Sequence, residues 1–253
     1  MSDTRAWQHV LEHVESRLLA GELAPGDRLP GERALSAELG VGRSSVREAL
    51  RVLEAMGLIR TASGSGPSAG AVIVATPDGG MRTLMRLQVA ARGLPVTDLV
   101  DTRLLLEGAV AARLAEASKA AEAANTEAIE ADAAAPSPTP DLTAAERLLD
   151  AMDDPTLAPE EFLSLDAAFH LALAEAAGNQ VTLATMAGLR SGIEGYVVAG
   201  MQRIADWPTM AERLRAEHRG IVRSITEGDA AAARRGVHDH IAGYYAAISD
   251  PAR

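Results

Sequence analysis

From about residue 81 to residue 250, apolar side chains recur at helical spacing, and period-two alternation is nearly missing. That pattern limits the chain to a mainly α architecture, with any sheet confined to the first third. There LIRT (58–61) and AVIVAT (71–76) read as two short strands flanking the flexible tip ASGSGPSAG. Further on, helix ends are expected near Gly93, around Ala117–Lys119, near Asp153, at Gly178, near Ala205, at Gly228 and near Asp250. Asn179, just after Gly178, is expected to cap the next helix. The low-complexity stretch 120–141 ends in PSPTP, which reads as a loop or mobile insertion. With 253 residues the chain can bury a sizeable core, and two domains are expected, 1–76 and 77–253.

Composition removes several function classes. Hydrophobic residues at 47% and charged residues at 23% exclude a wholly disordered chain. The lack of cysteine removes disulfide frameworks, thiolate zinc sites and cysteine nucleophiles. No apolar run approaches the roughly 20 residues that span a bilayer. The segment MSDTRAWQHVLEHVE is too charged for a secretory signal. The expectation is a soluble cytoplasmic protein with no membrane partner. A net charge of −11 would argue against nucleic-acid binding, but it is uneven. Residues 1–76 carry 8 basic and 9 acidic side chains, and the remainder carries 16 and 26. The first third therefore has to be judged face by face.

Helices are expected over 5–20, 31–40 and 43–57, with GELAPGDRLP (21–30) as a loop. Two short helices joined by a tight turn and followed by a hairpin make a winged helix-turn-helix. In the third helix Val46, Ala49, Leu50 and Leu53 share one stripe. Arg43 and Arg47 lie one turn apart on the adjoining face, with Ser44 beside them. That arrangement sets forked donors and free backbone N–H groups at a helix N-terminus, suited to base edges and phosphate. Arg33, on the preceding helix, is placed to hold the DNA backbone. Gly64 and Gly66 would let the wing approach the minor groove.

The C-terminal part carries a second pattern. On the helix of about 160–177, Asp166 and His170 stand at i and i+4 on the apolar stripe with Phe162, Phe169 and Leu173. His218 falls among Leu214, Ile221, Val222 and Ile225, and His240 shares a stripe with Val237 and Tyr244. His9 and His13 read as surface residues, and His238 points away from His240. Arg103 lies among Leu99, Leu106 and Val110, with Glu107 one turn on. One aspartate and three histidines form a sensible shell for Zn²⁺, Ni²⁺, Mn²⁺ or Fe²⁺, among which nitrogen and oxygen donors alone do not choose; Zn²⁺ is the ion expected. An arginine nearby supplies a fork for a carboxylate. The competing reading of the same residues is a buried ion network, with Arg103 paired to Glu107 and Asp166 to a protonated histidine.

LAPGDRLPGERALSAELGVGRSSVREALRVLEAMGLI resembles the N-terminal domain of GntR-superfamily transcriptional regulators, FadR branch. Two features depart from it: Gly42 stands where relatives often carry a hydroxyl residue, and the wing is longer than usual. The patterns DTRLLLEGAVAARLA, SLDAAFHLALAEAAGN and EHRGIVRSITEGDAAAARRGVHDHI resemble the FCD ligand-binding domain of that branch. The resemblance implies a winged helix-turn-helix followed by an antiparallel all-α bundle. It implies DNA contacts from Arg33, Arg43, Ser44, Arg47, Gly64 and Gly66. It also implies metal ligation by Asp166, His170, His218 and His240, with Arg103 binding an effector carboxylate and Glu107 beside it. The expected function is a homodimeric regulator, a repressor, on a pseudo-palindromic double-stranded operator, controlled by a small organic acid and not an enzyme. The alternatives are a metal-free acyl-CoA-type sensor on the same fold and a metal-dependent hydrolase.

Overall fold

The fold is that of a computed structural model, which describes residues 3–62, 70–74, 77–130 and 139–249. The chain divides into two compact units, Met1–Thr83 and Leu84–Arg253.

The first unit holds α1 (Asp3–Leu19), α2 (Glu32–Leu39), α3 (Arg43–Ala55), β1 (Ile59–Ala62) and β2 (Gly70–Ile73). The apolar stripes of the three helices meet at Val10, Val14, Leu35, Val46, Ala49 and Leu53, and Ile59 and Ile73 close the core from the hairpin. Gly40 ends α2 at φ +64°, a left-handed conformation that lets the chain turn at once into α3. The strands pair antiparallel, with Ile59 opposite Ile73. Residues 21–30 do more than loop. Gly26 N donates to Ile73 O (2.8 Å), Ile73 N to Asp27 O (2.8 Å) and Leu29 N to Ala71 O (2.9 Å). The segment thus pairs the outer edge of β2, whose backbone groups would otherwise need water. Gly64 and Gly66 lie outside the described residues.

The division falls within α4 (Pro77–Ala90). The second unit continues with α5 (Val96–Glu130), α6 (Thr143–Met152), α7 (Pro159–Ala176), α8 (Gln180–Met201), α9 (Trp207–Thr226) and α10 (Ala230–Ile248). The helix end expected around Ala117–Lys119 is wrong, because α5 runs on to Glu130. Residues 118–130 are rich in alanine and glutamate and contain no glycine or proline, so nothing there stops a helix. Where α5 passes the α9–α10 turn, Gly228 has φ +73° and a Cβ there would lie 2.8 Å from Lys119 Cβ. Both the conformation and the close approach require glycine. Asn179 caps α8, its side chain accepting from Val181 N and Thr182 N. Phe162, Phe169, Leu114, Leu214, Ile221, Ile225 and Ile241 fill the core, each side chain worth about 1.5–3 kcal/mol on burial. Among the described residues no helix is long and apolar enough to cross a membrane.

Candidate functional site

Two groups of polar side chains stand out, one in each unit. In the first unit the buried stripe of α3 turns its other face to solvent, so Arg43, Ser44 and Arg47 are exposed, as is Arg33 on α2. The N-cap of α3 is Gly42, which makes no side-chain cap hydrogen bond, and the first turn carries no acidic residue. The positive end of the α3 dipole thus carries exposed Arg43 and Ser44 and no acidic side chain, a setting that favours an anion. Arg47 is not idle. Its Nε donates to Glu32 Oε1 (3.3 Å) and its second terminal nitrogen to Glu32 Oε2 (3.1 Å). This fork spans α2 and α3 on the surface, where solvent keeps such a pair weak.

The second group is buried in the helical unit. Helical spacing on α7 places Asp166 and His170 side by side, α9 brings His218 and α10 brings His240. One ligand atom from each lies within 4.8 Å of all the others. His218 Nε2 is 3.0 Å, His240 Nε2 3.4 Å and His170 Nε2 3.8 Å from Asp166 Oδ1, and the Nε2 atoms of His170 and His240 are 3.2 Å apart. Ligands held at about 2.0–2.2 Å from one ion stand roughly 3–3.5 Å from each other, so the spacing fits a shared cation. His218 Nε2 is buried against the Asp166 carboxylate.

The second layer supports the same reading. A carboxylate only accepts, so His170 Nδ1–H donates to Glu107 Oε2 (2.6 Å) and His240 Nδ1–H to Glu217 Oε2 (2.9 Å). Both rings then present bare Nε2 lone pairs to the cluster, the arrangement that orients metal-binding histidines. His218 Nδ1 has no hydrogen-bond partner among the described residues. Phe169 packs on the His218 ring at 4.7 Å between centroids and holds its plane.

The electrostatics follow from burial and pairing. Burial, helped by Arg190, pushes the His170 imidazole down to about 3, which keeps it neutral and able to ligate. Burial and the neighbouring His240 lower His218. Burial alone would lower His240 too, but Asp166 and Glu217 outweigh it and raise its value. Burial would raise Glu107, yet Arg103, Arg190 and His170 hold it well below the usual carboxylate range. Asp166 is likewise held well below it, against burial, by the facing imidazoles.

Arg103 and Glu107, expected near the effector, are both buried on α5 and joined to each other. Arg103 Nε donates to Glu107 Oε1 (2.6 Å) and its terminal nitrogen to the Tyr245 hydroxyl (3.0 Å). Glu107 therefore has both oxygens engaged, one by Arg103 and the other by His170 and by Arg190 at 3.3 Å. Sequence reasoning missed Arg190 on α8, which also reaches Asp166 Oδ2 at 3.5 Å. Helix α8 is apolar on most sides and offers no stripe that would turn Arg190 inward. It also missed Glu217, whose place next to His218 put it off the apolar stripe. His238 is exposed and pairs with Asp239, apart from the cluster.

A winged helix with exposed arginines at the start of its third helix, in one chain with a buried donor cluster in a helical unit, defines a DNA-binding regulator with a sensing domain. Comparison with known proteins makes this specific. Residues 7–67 match the family described as "Bacterial regulatory proteins, gntR family", and residues 126–243 match the FCD domain. The chain belongs to the GntR family of transcriptional regulators, in the branch that carries an FCD ligand-binding domain. It is similar to the Glc operon transcriptional activator of Escherichia coli K12, 28% identical over 92% of this chain and 84% of that protein. The HTH-type transcriptional regulator LutR of Bacillus subtilis is 28% identical over 87% of this chain and 91% of its own length. A solved GntR structure from Streptococcus agalactiae shares the fold, with a TM-score of 0.59, 23% identity, and coverage of 94% of this chain and 98% of that one. These relatives are regulators, and the chain is a transcriptional regulator rather than an enzyme. The four clustered donors fall inside the FCD match, whereas Arg103 and Glu107 precede it.

Proposed function

We propose that this regulator binds a divalent metal through Asp166, His170, His218 and His240 and senses a small carboxylic acid at that centre. The observation that carries the proposal is the convergence of the four ligand atoms, with His170 and His240 each oriented from behind by a carboxylate. Nitrogen and oxygen donors without sulfur suit Zn²⁺, Ni²⁺, Mn²⁺ or Fe²⁺, and Zn²⁺ is the ion proposed. When bound, the ion supplies a Lewis-acidic point that takes a carboxylate oxygen. The chain's own residues do the rest. Glu107 and Glu217 hold the imidazoles, Phe169 keeps water from one face, and Arg103 and Arg190 provide positive charge beside the acid.

On DNA, we assign base reading to Arg43, Ser44 and Arg47, with Arg33 on the phosphate backbone and Gly64 and Gly66 in the wing. Residues 1–76 form the DNA-binding domain and 77–253 the sensing domain. A homodimer in the cytoplasm would place two α3 helices on a pseudo-palindromic operator. Repression is the sign proposed, because a seated dimer blocks polymerase by bulk alone, whereas activation needs an added contact. The E. coli relative carries the opposite sign in its name, so run-off transcription with and without the protein decides the point.

The test of the centre is elemental analysis of protein purified without chelator or a metal-binding tag. We expect about one transition metal per chain in the wild type and none in the His218→Ala/His240→Ala double variant. A metal-free wild type that gains no thermal stability from added Zn²⁺, Ni²⁺ or Mn²⁺ would end the metal reading and favour the acyl-CoA-type alternative.

A further inference from the structure

The charge around the cluster can be counted residue by residue. Arg103 and Arg190 are buried, their side chains 6% and 8% exposed, and guanidinium stays charged. Glu107 and Asp166 face them, with side chains 2% and 16% exposed. Farther out, Glu217 is matched by Arg213 at 3.3 Å. Two cations therefore already cancel two anions, and an imidazole that gives its Nε2 lone pair to an ion adds no charge of its own. A divalent ion adds two positive charges that no described side chain offsets. Leaving them uncompensated in a buried site is strongly unfavourable.

A second observation concerns donors. Arg190 Nε and the Tyr244 hydroxyl are buried and have no hydrogen-bond partner among the described residues. Both residues adjoin the cluster: Arg190 reaches Asp166 at 3.5 Å, and Tyr244 stands one turn after His240 on the buried face of α10. A single carboxylate taken up by the ion would leave these donors without an acceptor.

We propose that the centre selects a dicarboxylate, whose first carboxylate meets the ion and whose second meets Arg190 Nε and the Tyr244 hydroxyl. This rests on the metal-and-acid reading above, and it names the charge of the acid. Arg190 and Tyr244 are then specificity-determining residues. Arg103, tied to Glu107 and Tyr245, contributes its charge and not a free fork.

The experiment uses full-length protein loaded with Zn²⁺, freed of excess metal by gel filtration and checked by elemental analysis before and after titration. Calorimetry compares malonate with propionate and succinate with butyrate, pairs matched in chain length. Each dicarboxylate should bind on the order of tenfold or more tightly than its partner. Arg190→Met removes one buried positive charge and should bring the ratio near one. Arg103→Met removes the same charge from a different helix and should shrink the ratio as well, which keeps the test alive if the first variant does not fold. Equal or tighter binding of the monocarboxylates by metal-loaded wild type overturns the dicarboxylate proposal and leaves the metal-and-acid reading standing. Absence of metal, or of heat with all four acids, removes the reading on which the proposal rests.

Discussion

The two groups of charged residues solve opposite problems with the same side chains. On α3 the arginines stand in water, and Arg47 pairs with exposed Glu32 of α2. In the helical unit Arg103 and Arg190 are buried, and each carboxylate near them serves several partners at once. An exposed pair is weak and exchangeable, which suits a surface that must trade an intramolecular partner for a nucleic acid. A buried network is costly to break, because any group left alone keeps its desolvation penalty. The same residue type is thus loosely held in one unit and a fixed strut in the other.

The largest expected effect is on the buried side. Glu107→Ala takes the shared carboxylate from Arg103, Arg190 and His170 and should cost about 3–5 kcal/mol, read as a shift in the denaturant midpoint. A loss under about 1 kcal/mol would mean that the network is not tightly coupled. Next comes metal removal. A chelator should lower the melting temperature of the wild type and leave the His218→Ala/His240→Ala variant unmoved, and an equal response in both would place the ion elsewhere. On the exposed side, Arg47→Ala should weaken operator binding on the order of tenfold to a hundredfold with little change in melting temperature. A fall in melting temperature like that of Glu107→Ala would show that Arg47 is a strut too. Arg33→Ala should weaken all sequences alike and reduce the log–log salt slope by about 0.9, a pattern that sequence-selective loss would contradict. Smallest is Glu32→Gln, which weakens the hold on Arg47. We expect unchanged folding and a modest gain in DNA affinity, and a loss would show that Glu32 aims the arginine rather than restraining it.

The same contrast sets what was legible in the chain. Stripe-forming residues read well. Asp166, His170, His218 and His240 could be turned inward by helical angle alone, because α7, α9 and α10 have apolar faces to count against. Asn179 was readable because a cap acts within three residues of itself. Arg190 was not, since a long apolar helix gives no angle to its one cation. The end of α5 was misplaced because a low-complexity composition was taken as a break, whereas alanine and glutamate simply continue a helix. The partnership of Arg47 with Glu32 was also hidden, since it depends on how closely two short helices cross.

Glu107 binds its neighbours in history as well as in space. It touches residues on three helices, Arg103 on its own, His170 on α7 and Arg190 on α8. Loss of any one of the four alone leaves a buried charge short of a partner. Over evolutionary time these positions should therefore change together, or by way of uncharged, shape-keeping residues such as glutamine.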